Sequence, residues 1–336
     1  MAVVKPFICT RPKPSVAHKI AALPYDVYNR EEAKQEIIKE PLSFLRIDRA
    51  ETNFSDDVDT YDAKVYTKAK ELLQEMINQG NFLVDEKECY YVYELVMDGR
   101  LQTGIVACAS IDDYLNNVIK KHENTREDKE QDRICHVDIC NAQTGPIFLA
   151  YRSREEINAL VEETKKEESL YHFTSDDGIG HHVWRISEPE KVVVLKEAFS
   201  KVAYIYIADG HHRSASAVKV GLKRRKENPG YLGAESFNFF LSVLFPHDQL
   251  MIMPYNRAVK DLNGLSKEQF FDKIKEDFEV VEQGATPYTP QEKASFGMFL
   301  EGIWYHIRAK EGIRNIKDPV DSLDVSILQD YLLHPI

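Results

Sequence analysis

Ala203-Tyr204-Ile205-Tyr206-Ile207-Ala208-Asp209-Gly210-His211-His212-Arg213-Ser214-Ala215-Ser216-Ala217 is the stretch on which the reading of this chain turns. Its first part, Ala203 to Ala208, is a short apolar run that reads as a strand. A sharp turn follows, then a helix from about Arg213 to Lys226 that Asn228-Pro229-Gly230 ends. Asp209 is of a type that caps a helix. Gly210 has no Cβ and lets the backbone approach a ligand closely. The first N–H groups of a helix are unpaired and carry partial positive charge. Those are the requirements of a phosphate cradle. His211, His212 and Arg213 add side-chain donors there, and Ser214 and Ser216 add hydroxyls. The same residues also read as an ordinary strand-to-helix turn with an Asp cap and surface histidines, and the pattern leaves both readings open.

Strand-like and helix-like patterns alternate on either side of this turn. Glu31 to Glu40 reads as a short helix. Val58 to Gln79 reads as a longer one, with Val65, Ala69, Leu72, Leu73 and Met76 on one face and Gly80 as its stop. Cys89 to Met97 and Leu101 to Ser110 flank Asp98-Gly99, a hairpin signal. Further strands are expected at Gly145 to Tyr151, Phe237 to Phe245 and Leu250 to Met253. Hairpins are expected at Leu170 to Ile186 around Asp176-Asp177-Gly178, and at Phe296 to Arg308 around Glu301-Gly302. Helices are expected at Arg154 to Lys166, Glu188 to Ser200, Ser266 to Asp277 and Asp321 to Leu333. The last stops abruptly at His334-Pro335-Ile336, which raises the expectation that the natural chain continues. The fold class is α/β, mixed α+β, with mixed sheets and flanking helices, and regular βαβ crossovers are not obvious.

The composition is that of a globular chain: 336 residues, 43% hydrophobic and 29% charged, enough for a real core. The net charge of −12 argues against nucleic acid as a partner without excluding a local basic pocket. Cys9, Cys89, Cys108, Cys135 and Cys140 are odd in number, and none has the C-x-x-C spacing of a zinc pair. They read as reduced thiols, hence a cytoplasmic location. The N-terminus lacks a signal-peptide core, and no apolar run is long enough to span a membrane.

Three further clusters bear chemistry. In the charged run Lys120 to Arg133, the part from Glu127 to Arg133 reads as a solvated helix face. His122-Glu123-Asn124-Thr125-Arg126 reads so less well. Glu123 could act as a general base for a hydroxyl, and Arg126 could clamp a carboxylate or phosphate. Asn256 and Arg257, in Pro254-Tyr255-Asn256-Arg257, follow an expected strand and could contact a ligand, or simply form a turn. Asp26 and Arg46 could line a pocket or pair with each other. Gly178-Ile179-Gly180-His181-His182 reads as a hairpin turn rather than a metal site. No Walker-type loop, dinucleotide fingerprint, zinc helix or serine elbow is present.

Six segments together resemble one family. They are Pro24-Tyr25-Asp26-Val27, Pro41-x-x-Phe44-Leu45-Arg46, Lys121-His122-Glu123-x-Thr125-Arg126, Ala208-Asp209-Gly210-His211-His212-Arg213, Pro254-Tyr255-Asn256-Arg257 and Leu323-Asp324-Val325-Ser326. They match, in order and over nearly the whole chain, the pattern of the domain of unknown function 1015 family. The Asp-Gly-His-His-Arg turn also resembles the phosphate loop of the ParB/sulfiredoxin fold, in which free serine kinases carry a similar sequence. That resemblance implies a ParB/sulfiredoxin-like nucleotide-binding catalytic core over 111–260, between an N-terminal α/β region, 1–110, and a C-terminal α/β region, 261–336.

It further implies a kinase that uses ATP or ADP with Mg²⁺ to phosphorylate a free hydroxy amino acid, L-serine above all, to O-phosphoserine. By matching position, Asp209 would bind Mg²⁺ or orient the hydroxyl, and Glu123 would be the base and a second metal-side carboxylate. Gly210, His211, His212, Arg213 and Ser214 would hold the nucleotide phosphates, with Thr125 and Arg126 beside them and His211 taking part in the chemistry. Asp26, Arg46, His122, Asn256 and Arg257 would contact the acceptor. Phosphoryl transfer asks mainly for positioning and cationic donors, which these residue types supply. Two other functions stay open: a nucleotide-binding regulatory module without turnover, and a metalloenzyme built on His122, His211 and His212. A homodimer is left open.

Overall fold

Asp98 and Gly99 turn back on themselves with φ of 51° and 78°, the left-handed pair that a two-residue hairpin needs. The computed structural model describes residues 1–336, apart from the side chain of Asp128. By backbone contacts the chain divides into two units, Met1–Ile252 and Met253–Ile336. In chain order the strands of the first unit are β1 (Val4–Lys5), β2 (Thr10–Pro12), β3 (Phe82–Val84), β4 (Tyr90–Met97), β5 (Arg100–Ser110), β6 (Ile119–Lys120), β7 (Ile147–Tyr151), β8 (Tyr171–Thr174), β9 (Gly180–Ile186), β10 (Ile205–Asp209) and β11 (Phe239–Pro246). Nine of them form one sheet in the order β6-β10-β7-β11-β5-β4-β9-β8, with β1 also on β5, and β2 pairs with β3 separately. The β10–β6 and β11–β7 pairs are parallel and the rest antiparallel, so the sheet is mixed and the class is α+β, as the alternation of patterns indicated.

One face of the sheet is the main core. Ile105, Leu149, Ile205, Phe240 and Leu244 are wholly buried, and Ile207 nearly so. They pack against Ile157 and Leu160 of the helix Glu155–Thr164, Leu195 and Phe199 of Pro189–Ser200, and Ala217 and Val218 of His211–Glu227. At about 25 cal/mol per Å² of apolar surface, each such side chain contributes roughly 1.5–3 kcal/mol. A second cluster joins Ile47 to Val65, Leu72 and Met76, on the face of the helix Ala63–Asn78. That helix begins later than Val58 because Asp62 caps it, accepting from Lys64 N–H.

The second unit has its own core and a three-stranded sheet, β12 (Phe278–Gly284), β13 (Ser295–Leu300) and β14 (Ile303–Ala309), in the order β12-β14-β13. The helix Lys267–Asp277 packs beside it, started by a capping box of Ser266 and Gln269.

Several expectations are corrected. Leu250 to Met253 forms no strand and is largely exposed, Ile252 at 97%; Pro254 behind it cannot donate to a ladder. β12 reads as a strand only through tertiary pairing with β14. The expected C-terminal helix is two short pieces, Asp324–Leu328 and a π-helical Gln329–Leu333. The charged run Glu127 to Arg133 is a solvated face only in part: Glu127, Lys129 and Gln131 are exposed, while Glu130 and Arg133 are buried. The helix Glu127–Cys140 lies against both Ala63–Asn78 and His211–Glu227, and buries Glu130, Arg133 and His136. Among the described residues, no helix is long and apolar enough to cross a membrane.

Candidate functional site

β10 ends in an irregularity. Its register with β7 shifts between Ile207 and Asp209, which places an extra residue, Ala208, just before the turn. Bulges of this kind re-aim the side chain that follows. Gly210 is the N-cap of the next helix, at φ 93° and ψ 34°, a conformation that costs a residue with a Cβ. The helix therefore starts at His211, two residues before the expected Arg213. Its first internal bond runs from Ser214 N–H to the Gly210 carbonyl at 2.8 Å. The amides of His211, His212 and Arg213 precede that bond and form the positive end of the helix.

Asp209 does not cap the helix, contrary to the reading of its type. Its carboxylate accepts from Arg213 Nη2 at 2.5 Å, and Arg213 Nη1 donates to the Pro146 carbonyl at 2.6 Å. The glycine's missing Cβ makes room for that guanidinium, which would lie 3.2–3.3 Å from it.

His211 is only 6% exposed. Its Nδ1 lies 3.4 Å from a carboxylate oxygen of Glu123, and the His122 ring meets its own edge-on at 4.4 Å between centroids. Its Nε2 is buried without a hydrogen-bond partner, and so is His212 Nδ1. Burial, and then His122, push the His211 imidazole below its ordinary range, while Glu123 and Asp209 pull the other way. A neutral imidazole on this turn has one donor nitrogen and one acceptor nitrogen. An orphaned buried ring nitrogen at a helix N-terminus is the kind of group that a ligand completes.

The segment carrying His122 and Glu123 leaves β6, which lies parallel to β10, and so runs beside the turn. Glu123 remains open, its side chain 61% exposed. Thr125 has its hydroxyl on the Glu130 carboxylate, and Arg126 is the exposed N-cap residue of the helix Glu127–Cys140. Ser214 and Ser216 are fully buried. Ser214 donates to the His211 carbonyl, and Ser216 to the carbonyls of His212 and Glu130. Both hydroxyls are thus bonded to main-chain carbonyls.

The Pro24-Tyr25-Asp26-Val27 segment also reaches this region. Tyr25 stacks under the Arg133 guanidinium at 4.1 Å. Burial raises its phenol, while the charges of Arg133 and Arg213 counter the rise. Asp26 and Arg46 do not pair; Arg46 donates to the Pro41 carbonyl. Asn256 and Arg257 belong to the second unit, where the Arg257 guanidinium lies over the Tyr255 ring at 4.0 Å.

The structure thus gathers His122, Glu123, Asp209, Gly210, His211, His212 and Arg213 around one helix end. Sequence reasoning missed Glu130, Lys219 and Arg133. Glu130, Arg133, His136 and Cys140 recur at helical spacing and are all buried, a stripe that apolar periodicity cannot detect. Among the described residues, no group of three or more His, Cys, Asp or Glu side chains is arranged to hold a metal ion.

A family model described as "Protein of unknown function (DUF1015)" matches residues 4–326. No curated protein matches the chain, and no solved structure does.

Proposed function

The chain belongs to the DUF1015 family, and on that premise we propose that it is a phosphotransferase acting on a small hydroxyl compound. A nucleotide, ATP or ADP, places its terminal phosphates on the amides and side chains of His211, His212 and Arg213. The acceptor is a free hydroxy amino acid, and L-serine is the candidate that the loop resemblance supplies. Its hydroxyl oxygen bonds to the terminal phosphorus as the bond from phosphorus to the leaving nucleotide oxygen breaks, and Glu123 takes the hydroxyl proton. The products are O-phosphoserine and the shortened nucleotide.

The single observation that carries this reading is the buried, unpartnered His211 Nε2 on the first residue of a helix, beside an open glutamate. A phosphate would accept from the free amides of His211, His212 and Arg213 and, where Nε2 carries a proton, from that nitrogen as well. Asp209 and Glu123 are both more than half exposed and flank His211. Mg²⁺ commonly takes one or two carboxylates together with substrate phosphates, so Asp209, on leaving Arg213, would fit that ion while Glu123 stays free to take the proton. When bound, Mg²⁺ would offset phosphate charge.

The test is direct. Purified protein is incubated with L-serine, Mg²⁺ and ATP or ADP, and products are followed by ³¹P NMR. Phosphoserine formed with either nucleotide supports the proposal. Tight nucleotide binding with no phosphorylated product from serine or any other hydroxy amino acid would sink it, and would leave a regulatory module.

A further inference from the structure

Glu130 is a buried carboxylate that reaches both halves of the site. It is 6% exposed. One carboxylate oxygen accepts from the Thr125 hydroxyl and the other from the Lys219 ammonium. Its main-chain carbonyl accepts from the Ser216 hydroxyl at 3.0 Å. Lys219 and Ser216 lie on the helix whose first turn is the phosphate cradle, and Thr125 ends the segment that brings His122 and Glu123 to His211. Burial alone would raise the Glu130 carboxyl, but Lys219, Thr125 and His212 outweigh it and keep the carboxylate charged. A charged group buried this far needs every one of its bonds.

Packing of the two helices explains the bonds from Lys219 and Ser216. It does not explain Thr125, which precedes the helix Glu127–Cys140 and packs as part of the loop. Glu123, two residues earlier, has His211 as its ion-pair partner at 3.4 Å and is otherwise open. Besides the pairing of β6 with β10 at its start and the Lys121 ammonium over the Tyr114 ring, the loop is thus held beside the cradle by a hydroxyl bound to a carboxylate that the cradle helix itself fixes.

Resting on the phosphotransferase reading, we propose that Glu130 is a positioning residue: through Thr125 it tethers segment 121–126 to the cradle helix and so holds Glu123 at the reacting hydroxyl. Glu130 touches neither nucleotide nor acceptor. Its loss acts on turnover through the loop and leaves the phosphate cradle intact.

The test compares Thr125→Val, which removes the hydroxyl at nearly constant shape, with Thr125→Ser, which keeps it, and with Glu130→Gln. Two readouts are taken on the full chain: amide hydrogen exchange, and ADP affinity against kcat. Thr125→Val is expected to speed exchange of the Glu130 amide, which bonds the Arg126 carbonyl at 3.0 Å where the loop joins the helix, about tenfold, the loss of one strong side-chain hydrogen bond. Exchange in the helix from Ser214 to Glu227 stays unchanged, as does the Kd for ADP, because the Thr125 hydroxyl is given to Glu130 and not to the phosphates the resemblance set beside it, and kcat falls about tenfold or more. Thr125→Ser restores both readouts, and Glu130→Gln falls between the two variants. Unchanged exchange and kcat in Thr125→Val overturn the proposal. Faster exchange along the whole helix with a parallel loss of ADP affinity also overturns it, because that is the mark of lost packing. A wild-type protein that makes no phosphorylated product overturns the phosphotransferase reading instead, and the exchange arm then decides the tether by itself.

Discussion

Replacing Gly210 by alanine tests the turn at its tightest point. Gly210 sits at φ 93° and ψ 34°. A residue with a Cβ costs about 1–2 kcal/mol in that left-handed region. The new Cβ would also stand 3.2 Å from Arg213 Nε and 3.3 Å from its Cζ and Nη2. The guanidinium would have to move, yet it is held by Asp209 at 2.5 Å and Pro146 at 2.6 Å. Losing one bond to a charged group costs about 1.5–3 kcal/mol. The expected destabilisation is therefore about 2.5–5 kcal/mol if one bond breaks, and about 1–2 kcal/mol if the side chain yields freely. Gly80→Ala is the matched control, since Gly80 has φ 74° but nothing within 4 Å of its added Cβ. Equilibrium urea unfolding of both variants gives the difference, and isothermal titration gives the Kd for ADP. Gly210→Ala should cost more than Gly80→Ala and weaken ADP at least tenfold. Equal costs and unchanged ADP affinity would refute the claim that Gly210 makes room for an anchored Arg213 in a phosphate cradle.

Glu123→Gln should leave the Kd for ADP unchanged and lower kcat by about 10²–10⁴, the usual worth of a general base, as steady-state assays with serine would measure. Burial, and then the Arg133 guanidinium, hold His136 below the ordinary imidazole range despite Asp48 beside it. The unfolded chain then binds the proton first as pH falls, so the stability tied to neutral His136 is complete above about pH 6.5 and is lost below it. The loss is at most about 1.4 kcal/mol per pH unit, and His136→Gln should flatten the fall in urea midpoint between pH 7 and 5. Gly221→Ala would gain about 1 kcal/mol in an exposed helix. Here the Cβ would meet the Phe237 carbonyl oxygen at 2.4 Å and Ile111 Cδ1 at 2.7 Å, so a net loss of about 1–3 kcal/mol is expected in thermal unfolding.

The elements legible in the sequence are those whose local chemistry agrees with their tertiary setting. The β4–β5 hairpin carries its turn residues, and the helix Ala63–Asn78 carries a clean apolar face and a stop at Gly80. β10 and the helix after it were legible for the same reason. Asp209 misled because a cap and an ion-pair partner look alike in sequence, and only the position of Arg213 one helical turn on separates them. The helix Glu127–Cys140 was misread because its buried stripe is polar: Glu130 and Arg133 face protein rather than water. Ile119–Lys120 is too short to announce itself, yet its parallel pairing with β10 is what carries Glu123 to His211. The residue types of the site were visible in the sequence; the tether that places them was not.

The central claim is that the turn after β10 holds the phosphates of a nucleotide, with Glu123 beside them. Titration of ¹⁵N-labelled protein with Mg²⁺ and ADP, read by amide chemical shifts, tests it most directly. The account predicts that the amides of Gly210, His211, His212 and Arg213 shift together at saturation, along with those of 122–126. Saturable binding that leaves these amides unmoved while others shift would contradict it.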